Sequence, residues 1–318
     1  QEGLEKPMTT LITATMFDNI YYPRQSQEDN IRIWKSEGED VYRKRALGEV
    51  IMDSVRMYPT FNKDLHNAIK TAEPRAKVQE VLTERNGMPP NDWTRYMVVD
   101  PGHTVCAVLF FAIPTAEFGD HVICYRELYL RQCDANMFGT MVEQVMAEEF
   151  IQFQSFIIDA HGGALGDISS GISPRKRYSD ELKKRMIASV ESRHDFRDGV
   201  DDVAGRENCL RDWLHIRRDG TTKFMVVASR CPNTIREMVN FKKLMVRQGG
   251  RDLPTDKGNR KSNTHAVECC EYAAAHGMPY VRPKVAKRRE THVDRVIRER
   301  KEREAARRGK HLGRGRQT

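Results

Sequence analysis

The sequence of 318 residues has no Cys-x-x-Cys pair, no Gly-x-x-x-x-Gly-Lys-Ser/Thr loop, no long apolar run and no internal repeat. Its seven cysteines are Cys106, Cys124, Cys133, Cys209, Cys231, Cys269 and Cys270. An odd number without metal-ligand spacing points to free thiols in a reducing compartment and away from a structural zinc site. The missing phosphate loop excludes an ATP site of that type from the chain as given, so ATP hydrolysis is not expected of it. No window approaches the roughly 18 consecutive apolar residues of a membrane helix. The opening QEGLEKPMTT lacks the basic and apolar regions of a signal peptide, so no membrane association is expected.

What is present is a globular balance, 31% charged and 39% hydrophobic residues, in a chain long enough for about two domains. The net charge of +8 is unevenly placed. Arg282 to Thr318 holds 15 Lys or Arg against 5 Asp or Glu, so this tail alone exceeds the total by two and the preceding 281 residues carry about −2. A near-neutral body with a basic tail suits a polyanionic partner, nucleic acid first, the alternative being a solvated terminus.

Along the chain, MTTLITATMF is β-rich, DNIYYPRQ breaks it, and RIWKSEGEDVYRKRALGEV reads as helical. The loop NGMPPNDW at 86–93 marks a boundary. Beyond it, YMVVDPGHTVCAVLFFAIP predicts a strand, a turn and a second strand, and HVICYRELYLRQC a third. MFGTMVEQVMAEEFIQFQ has helical spacing, and SFIIDAHGG is a short buried strand ending in an acid. The order β-β-β-α-β opens a mixed α/β domain. Further on, DELKKRMIASVESRH predicts a helix, HDFRDGVDD a polar loop and TKFMVVAS a strand. CPNTIREMVNFKKLMVRQGG predicts a helix closed by glycines, GGRDLPTDKGNRKSN a loop, and THAVECCEYAAAHG a helix. The organisation is thus residues 1–85, a domain over 86–281, and the basic tail 282–318, helical or disordered.

Asp100 and Asp159 share a setting, in VVDPGH and IIDAHGG: each ends an apolar strand and precedes a Gly-bearing turn. Burying a carboxylate is costly without a partner, and two held close together repel unless a proton or cation separates them. Hard divalent cations such as Mg²⁺ take such carboxylates; turn or helix capping is the alternative role. In SNTHAVECCEYAAAHG, helical spacing lines up His265, Glu268 and Glu271 or Tyr272, and a carboxylate on this packed helix could complete the set.

These segments, in this order, resemble the large terminase subunit of tailed bacteriophages over residues 9 to about 281. TATMFDNIYYP, YRKRALGE and MYPTF resemble the end of the family's ATPase domain and the passage out of it. MVVDPGHT, VICYRELYL and FIIDAHGG resemble its first nuclease strand, the following strand and the second acid-bearing strand. CPNTIREMVNFKKL resembles the penultimate helix, and NTHAVECCEYAA the final motif, usually Asp-His-Ala-x-Asp-Ala-x-Arg-Tyr. Here Thr264, Glu268 and Glu271 replace the first Asp, the catalytic Asp and the Arg. The resemblance implies an RNase H-like mixed sheet flanked by helices and a Mg²⁺- or Mn²⁺-dependent endonuclease that cuts concatemeric double-stranded DNA. Two ions would be held by Asp100, Asp159 and Glu268, with Glu271 the rival third acid and Glu127 a possible fourth.

His103, His161, Arg175, Lys176, Arg177, Arg260 and Lys261 are candidate DNA contacts, the last five read as lying in loops beside the acid-bearing segments. Asp201 and Asp202 read as polar-loop residues rather than ligands. The resemblance also implies portal protein and small terminase subunit as partners, oligomerisation only in the assembled motor, and a place in the host cytoplasm, transiently at the prohead portal. The alternatives are a non-catalytic DNA- or portal-docking module and another RNase H-like nuclease such as a junction resolvase.

Overall fold

Thr94–Asp100 and Val105–Ile113 are buried at every position, as strands covered on both faces must be. In the computed structural model these are β1 and β2. The structure describes residues 15–37, 39–48, 55–69, 76–102, 104–149, 152–164, 171–248, 251–260 and 263–283. Ahead of them lie α1 (Arg24–Glu37), α2 (Glu39–Ala46) and α3 (Lys77–Glu84). After them come β3 (Val122–Arg131), α4 (Ala135–Glu149), β4 (Phe153–Ile158), α5 (Ala160–Ala164), α6 (Pro174–Lys184), β5 (Arg197–Asp198) and α7 (Val203–Trp213). The chain continues through β6 (Phe224–Val226), α8 (Pro232–Asn240), β7 (Lys243–Gln248), β8 (Arg251–Gly258) and α9 (His265–His276).

Six strands form one sheet in the order β5-β4-β1-β2-β3-β6. The pairs β1–β2 and β2–β3 are antiparallel, whereas β1–β4, β4–β5 and β3–β6 are parallel. Three antiparallel strands followed by two added in parallel beside the first is the RNase H-like arrangement, so the fold class is the expected one. Period-two alternation sorts the side chains. Tyr96, Val98, Ala107 and Leu109 face a core shared with Leu210 and Trp213 of α7 and Ala266, Val267 and Ala273 of α9. Met97, Val99, Val108 and Phe110 face the opposite core, with Phe138 and Val142 of α4 and Tyr178 and Leu182 of α6.

Residues before the 86–93 loop enter both cores: Met57, Tyr58 and Phe61 on one face, Ala68, Val78 and Leu82 on the other. Buried Arg95 holds the loop itself, donating to the carbonyls of Pro89, Pro90 and Trp93 at 2.7 to 3.0 Å. The expected strand over MTTLITATMF falls largely outside the described residues, as does the tail beyond residue 283. No described helix is long and apolar enough to cross a membrane.

Five expectations are corrected. The helix expected over 231–250 stops at Asn240, and the remainder forms an antiparallel hairpin, β7 with β8, where a helix end and a loop were expected. Phe241 leaves the helix in extended conformation, φ −67° and ψ 119°, and is buried against Gly258, where an added Cβ would come within 2.1 Å of its ring. The stretch SPRKRY is helix, not loop: the Ser173 hydroxyl accepts from the Lys176 N–H at 3.3 Å and Pro174 suits the first turn. That helix ends at Lys184, ten residues short of the stretch read as helical, and Met186 follows with φ +56°. The polar loop HDFRDGVDD contributes β5, and α7, which follows it, was not anticipated.

Candidate active site

Asp100 is the last residue of β1, and Asp159 follows the last residue of β4. Val99 pairs with Ile158, and the Asp159 N–H donates to the Val99 carbonyl at 3.0 Å. The two acids therefore stand side by side at the carboxyl ends of neighbouring parallel strands, about 4.8 Å apart in the backbone. The turn after β4 wraps Asp159: its Oδ2 accepts from the Gly162 N–H at 2.7 Å and its Oδ1 from the His161 N–H at 3.3 Å. Glycine at 162 lets the carboxylate close on the turn, since an added Cβ would meet Asp159 Oδ2 at 2.6 Å and push it aside.

Helix α9 crosses above these strand ends and presents His265, Glu268 and Tyr272 along one side. His265 Nδ1 donates to Asp100 Oδ2 at 2.7 Å, since a carboxylate can only accept. The Tyr272 hydroxyl donates to Asp159 Oδ1. Glu268 accepts from the Thr264 hydroxyl at 2.8 Å and pairs with Arg260 at 3.2 Å and Arg206 at 3.7 Å. Asp100 is 7% exposed. Burial pushes its carboxyl up, and the charges of Glu268 and Asp159 push it further, against the pull of His265. His265 is raised in turn by its hydrogen bond to Asp100, against burial.

Glu271, three residues from Glu268, is wholly buried. It accepts from the Tyr58 hydroxyl at 2.7 Å, from Arg260 at 2.7 Å and from Arg206 at 3.2 Å. Burial raises its carboxyl in spite of the two guanidiniums. Arg206 also stacks on the Tyr272 ring at 4.4 Å and donates to its hydroxyl at 2.9 Å. Burial alone would lower Arg260, but Glu271, Glu268 and Glu207 carry it above its ordinary value. The structure thus brings Asp100, Asp159 and Glu268 into one electrostatic group and gives Glu271 to a packed ion cluster. Among the described residues, no three His, Cys, Asp or Glu side chains stand close enough to hold a metal ion as placed; cationic and hydroxyl groups of the protein occupy the carboxylates.

The other candidates scatter. Glu127 accepts from the N–H groups and side chains of Asn233 and Thr234 at 2.7 to 2.8 Å, and so caps α8. Arg260 faces carboxylates rather than solvent. Arg175, Lys176 and Arg177 sit on α6, Arg175 paired with Asp195 and Asp198 and Lys176 with Asp180. His161 is exposed on α5, and Asp201 and Asp202 are exposed ahead of α7. His103 and Lys261 lie outside the described residues. Sequence reasoning missed Arg206, Glu207 and Tyr58. The only signal for the first two was a charged pair inside a stretch of helical spacing, VAGRENCLRDW.

No model of a known protein family matches the sequence, and no characterised protein is matched by sequence. Among solved structures, the chain is similar to the nuclease domain of the large terminase from bacteriophage SPP1, solved with bound Mn, at 18% identity over 58% of this chain and 87% of that one, with a TM-score of 0.38. It is also similar to the P22 large terminase nuclease domain, at 11% identity over 70% and 91% of the two chains, TM-score 0.43. A third is the nuclease domain of the large terminase subunit of bacterial virus Sf6, solved with manganese, at 10% identity over 59% and 88%, TM-score 0.32. All three are nuclease domains of large terminases, the family whose motifs the sequence resembles.

Proposed function

We propose that this chain is the nuclease of a phage DNA-packaging terminase, a metal-dependent endonuclease that hydrolyses phosphodiester bonds of concatemeric double-stranded DNA. The observation that carries the reading is Asp100 and Asp159 side by side at adjacent strand ends of an RNase H-like sheet, beneath a helix that bonds both through His265 and Tyr272 and bears Glu268 between those two residues. The donor set fits hard divalent cations such as Mg²⁺ or Mn²⁺, which favour carboxylate oxygens. A buried Asp100 pushed up by two like charges is also a carboxylate whose strain a cation relieves.

Asp100, Asp159 and Glu268 would hold the metal. When bound, a pair of ions supplies an activated water for in-line attack and stabilises charge at the leaving 3′ oxygen. The protein's part is positioning. His265 fixes one oxygen of Asp100, the turn amides and Tyr272 fix Asp159, and Thr264 with Arg260 holds Glu268. Glu268, paired with Arg260 at 3.2 Å, would be the third carboxylate open to the metal. The wider setting, with portal protein and small terminase subunit as partners in the host cytoplasm and at the prohead portal, rests on the motif resemblance. In the test, supercoiled plasmid is incubated with the protein and Mg²⁺ or Mn²⁺: nicking and linearisation are expected from the native chain and not from Asp100→Ala. Equal cleavage by the two, or none by the native chain, overturns the reading.

A further inference from the structure

At the start of α9 lies a groove of about 450 Å³ between α8 and the base of the β7–β8 hairpin, lined by Arg236, Glu237, Asn240, Lys242, Asn259 and Asn263. Resting on the nuclease reading above, we propose that this groove takes the phosphodiester backbone of the DNA strand that reaches the acids. Arg236 and Lys242 are exposed, and Arg236 lies over the Tyr129 ring at 5.8 Å. The groove's one carboxylate does not cancel them. Glu237 is 3% exposed; its Oε1 accepts from the Tyr129 hydroxyl at 2.6 Å and its Oε2 from the N–H groups of Ala266 and Val267 at 2.7 and 3.3 Å. Its charge is committed to the start of α9, so the open face carries two cations, with the Asn263 amide beside them and the Asn240 amide donating to the Arg236 carbonyl at 2.8 Å.

That combination suits a chain of singly charged phosphates, which needs positive charge and amide donors but no shaped apolar pocket. The lining holds no large apolar side chain, and the volume exceeds what a lone phosphate fills. The groove also leads to the chemistry. Asn263 is followed directly by Thr264 and His265, which bond to Glu268 and Asp100. A strand lying along Arg236 and Lys242 is thereby delivered to the acids.

The test reads binding in EDTA, where no cutting interferes, by fluorescence anisotropy of a short labelled duplex across a salt series. The Arg236→Glu, Lys242→Glu pair is expected to weaken binding about tenfold and to make the slope of log K against log salt shallower by about 2, roughly 0.9 for each phosphate contact. Reversing two cations outside the groove, Lys63→Glu with Arg218→Glu, is expected to leave the slope as in the native chain. The milder Arg236→Gln, Lys242→Gln pair, checked by its thermal melt, is expected to give a smaller loss in the same direction. Unchanged affinity and slope in both groove pairs, an equal loss in the control pair, or displacement of the duplex by millimolar inorganic phosphate overturns the proposal. If the native chain cuts no DNA while the groove variants still lose salt-dependent binding, the groove stands and only the nuclease reading falls.

Discussion

Glu268 and Glu271 are neighbours on α9 with opposite fates. Glu268 keeps 17% of its side chain exposed and lies within the field felt by Asp100, whereas Glu271 is sealed beneath Tyr58, Arg206 and Arg260. Removing one member of a buried ion cluster leaves its partners unpaired and costs about 3 kcal/mol or more. Glu271→Gln should therefore lower the urea midpoint by a corresponding amount while leaving residual cleavage by the folded fraction. Glu268→Gln should cost roughly 10²-fold or more in plasmid cleavage, with stability within about 1 kcal/mol of the native chain. The reverse pattern would make Glu271 the third acid. At this scale Asp100 and Asp159 were legible, because an acid at the end of a wholly apolar strand stands out. The counter-charges were not: Arg206 reaches Glu271 from 65 residues away, and Arg260, just ahead of α9, reads as a DNA contact until its carboxylate partners are seen.

Helix α9 begins without a capping side chain of its own, as Thr264 makes no side-chain cap bond. The cap comes instead from α8, through Glu237 and the N–H groups of Ala266 and Val267. A charged acceptor on two helix-end donors contributes about 2 kcal/mol. Glu237→Ala is expected to lose about that much in urea unfolding and to reduce plasmid cleavage, since His265 and Glu268 sit in the turn it secures. An unchanged midpoint would show that α9 starts without it. Of the elements, the strands β1 to β4 and β6 and the helix α9 could be read because each carries its own apolar pattern. The hairpin could not: it depends on Phe241 meeting Gly258 across the hairpin's base, a packing contact that neither residue's local pattern signals. The start of α6 was hidden because Arg and Lys beside Pro174 suggest a loop until Ser173 is seen to cap it. Likewise α7 buries Arg206 and Glu207, charged residues that a hydrophobic pattern assigns to solvent.

Across the whole molecule, the 86–93 loop interrupts the sequence pattern without dividing the core. Met57, Tyr58, Phe61, Ala68, Val78 and Leu82 all lie on the far side of that loop and are buried at 2% exposure or less. At about 1.5 to 3 kcal/mol for each large side chain, their removal approaches the total stability of a typical domain, about 5 to 15 kcal/mol. A chain starting at residue 86 is expected to lose its cooperative thermal transition by circular dichroism, whereas one starting at residue 55 retains it. A sharp transition in the shorter chain would show that these contacts are dispensable. The same segment shapes how the protein meets its own copies. At one edge of the sheet, Val226 of β6 exchanges backbone hydrogen bonds with His66 and Ala68, both at 2.8 Å; at the other, β5 is only two residues long. Neither edge of this sheet offers a long open ladder to another chain, so the six-stranded sheet is closed to the strand-to-strand growth that starts aggregation.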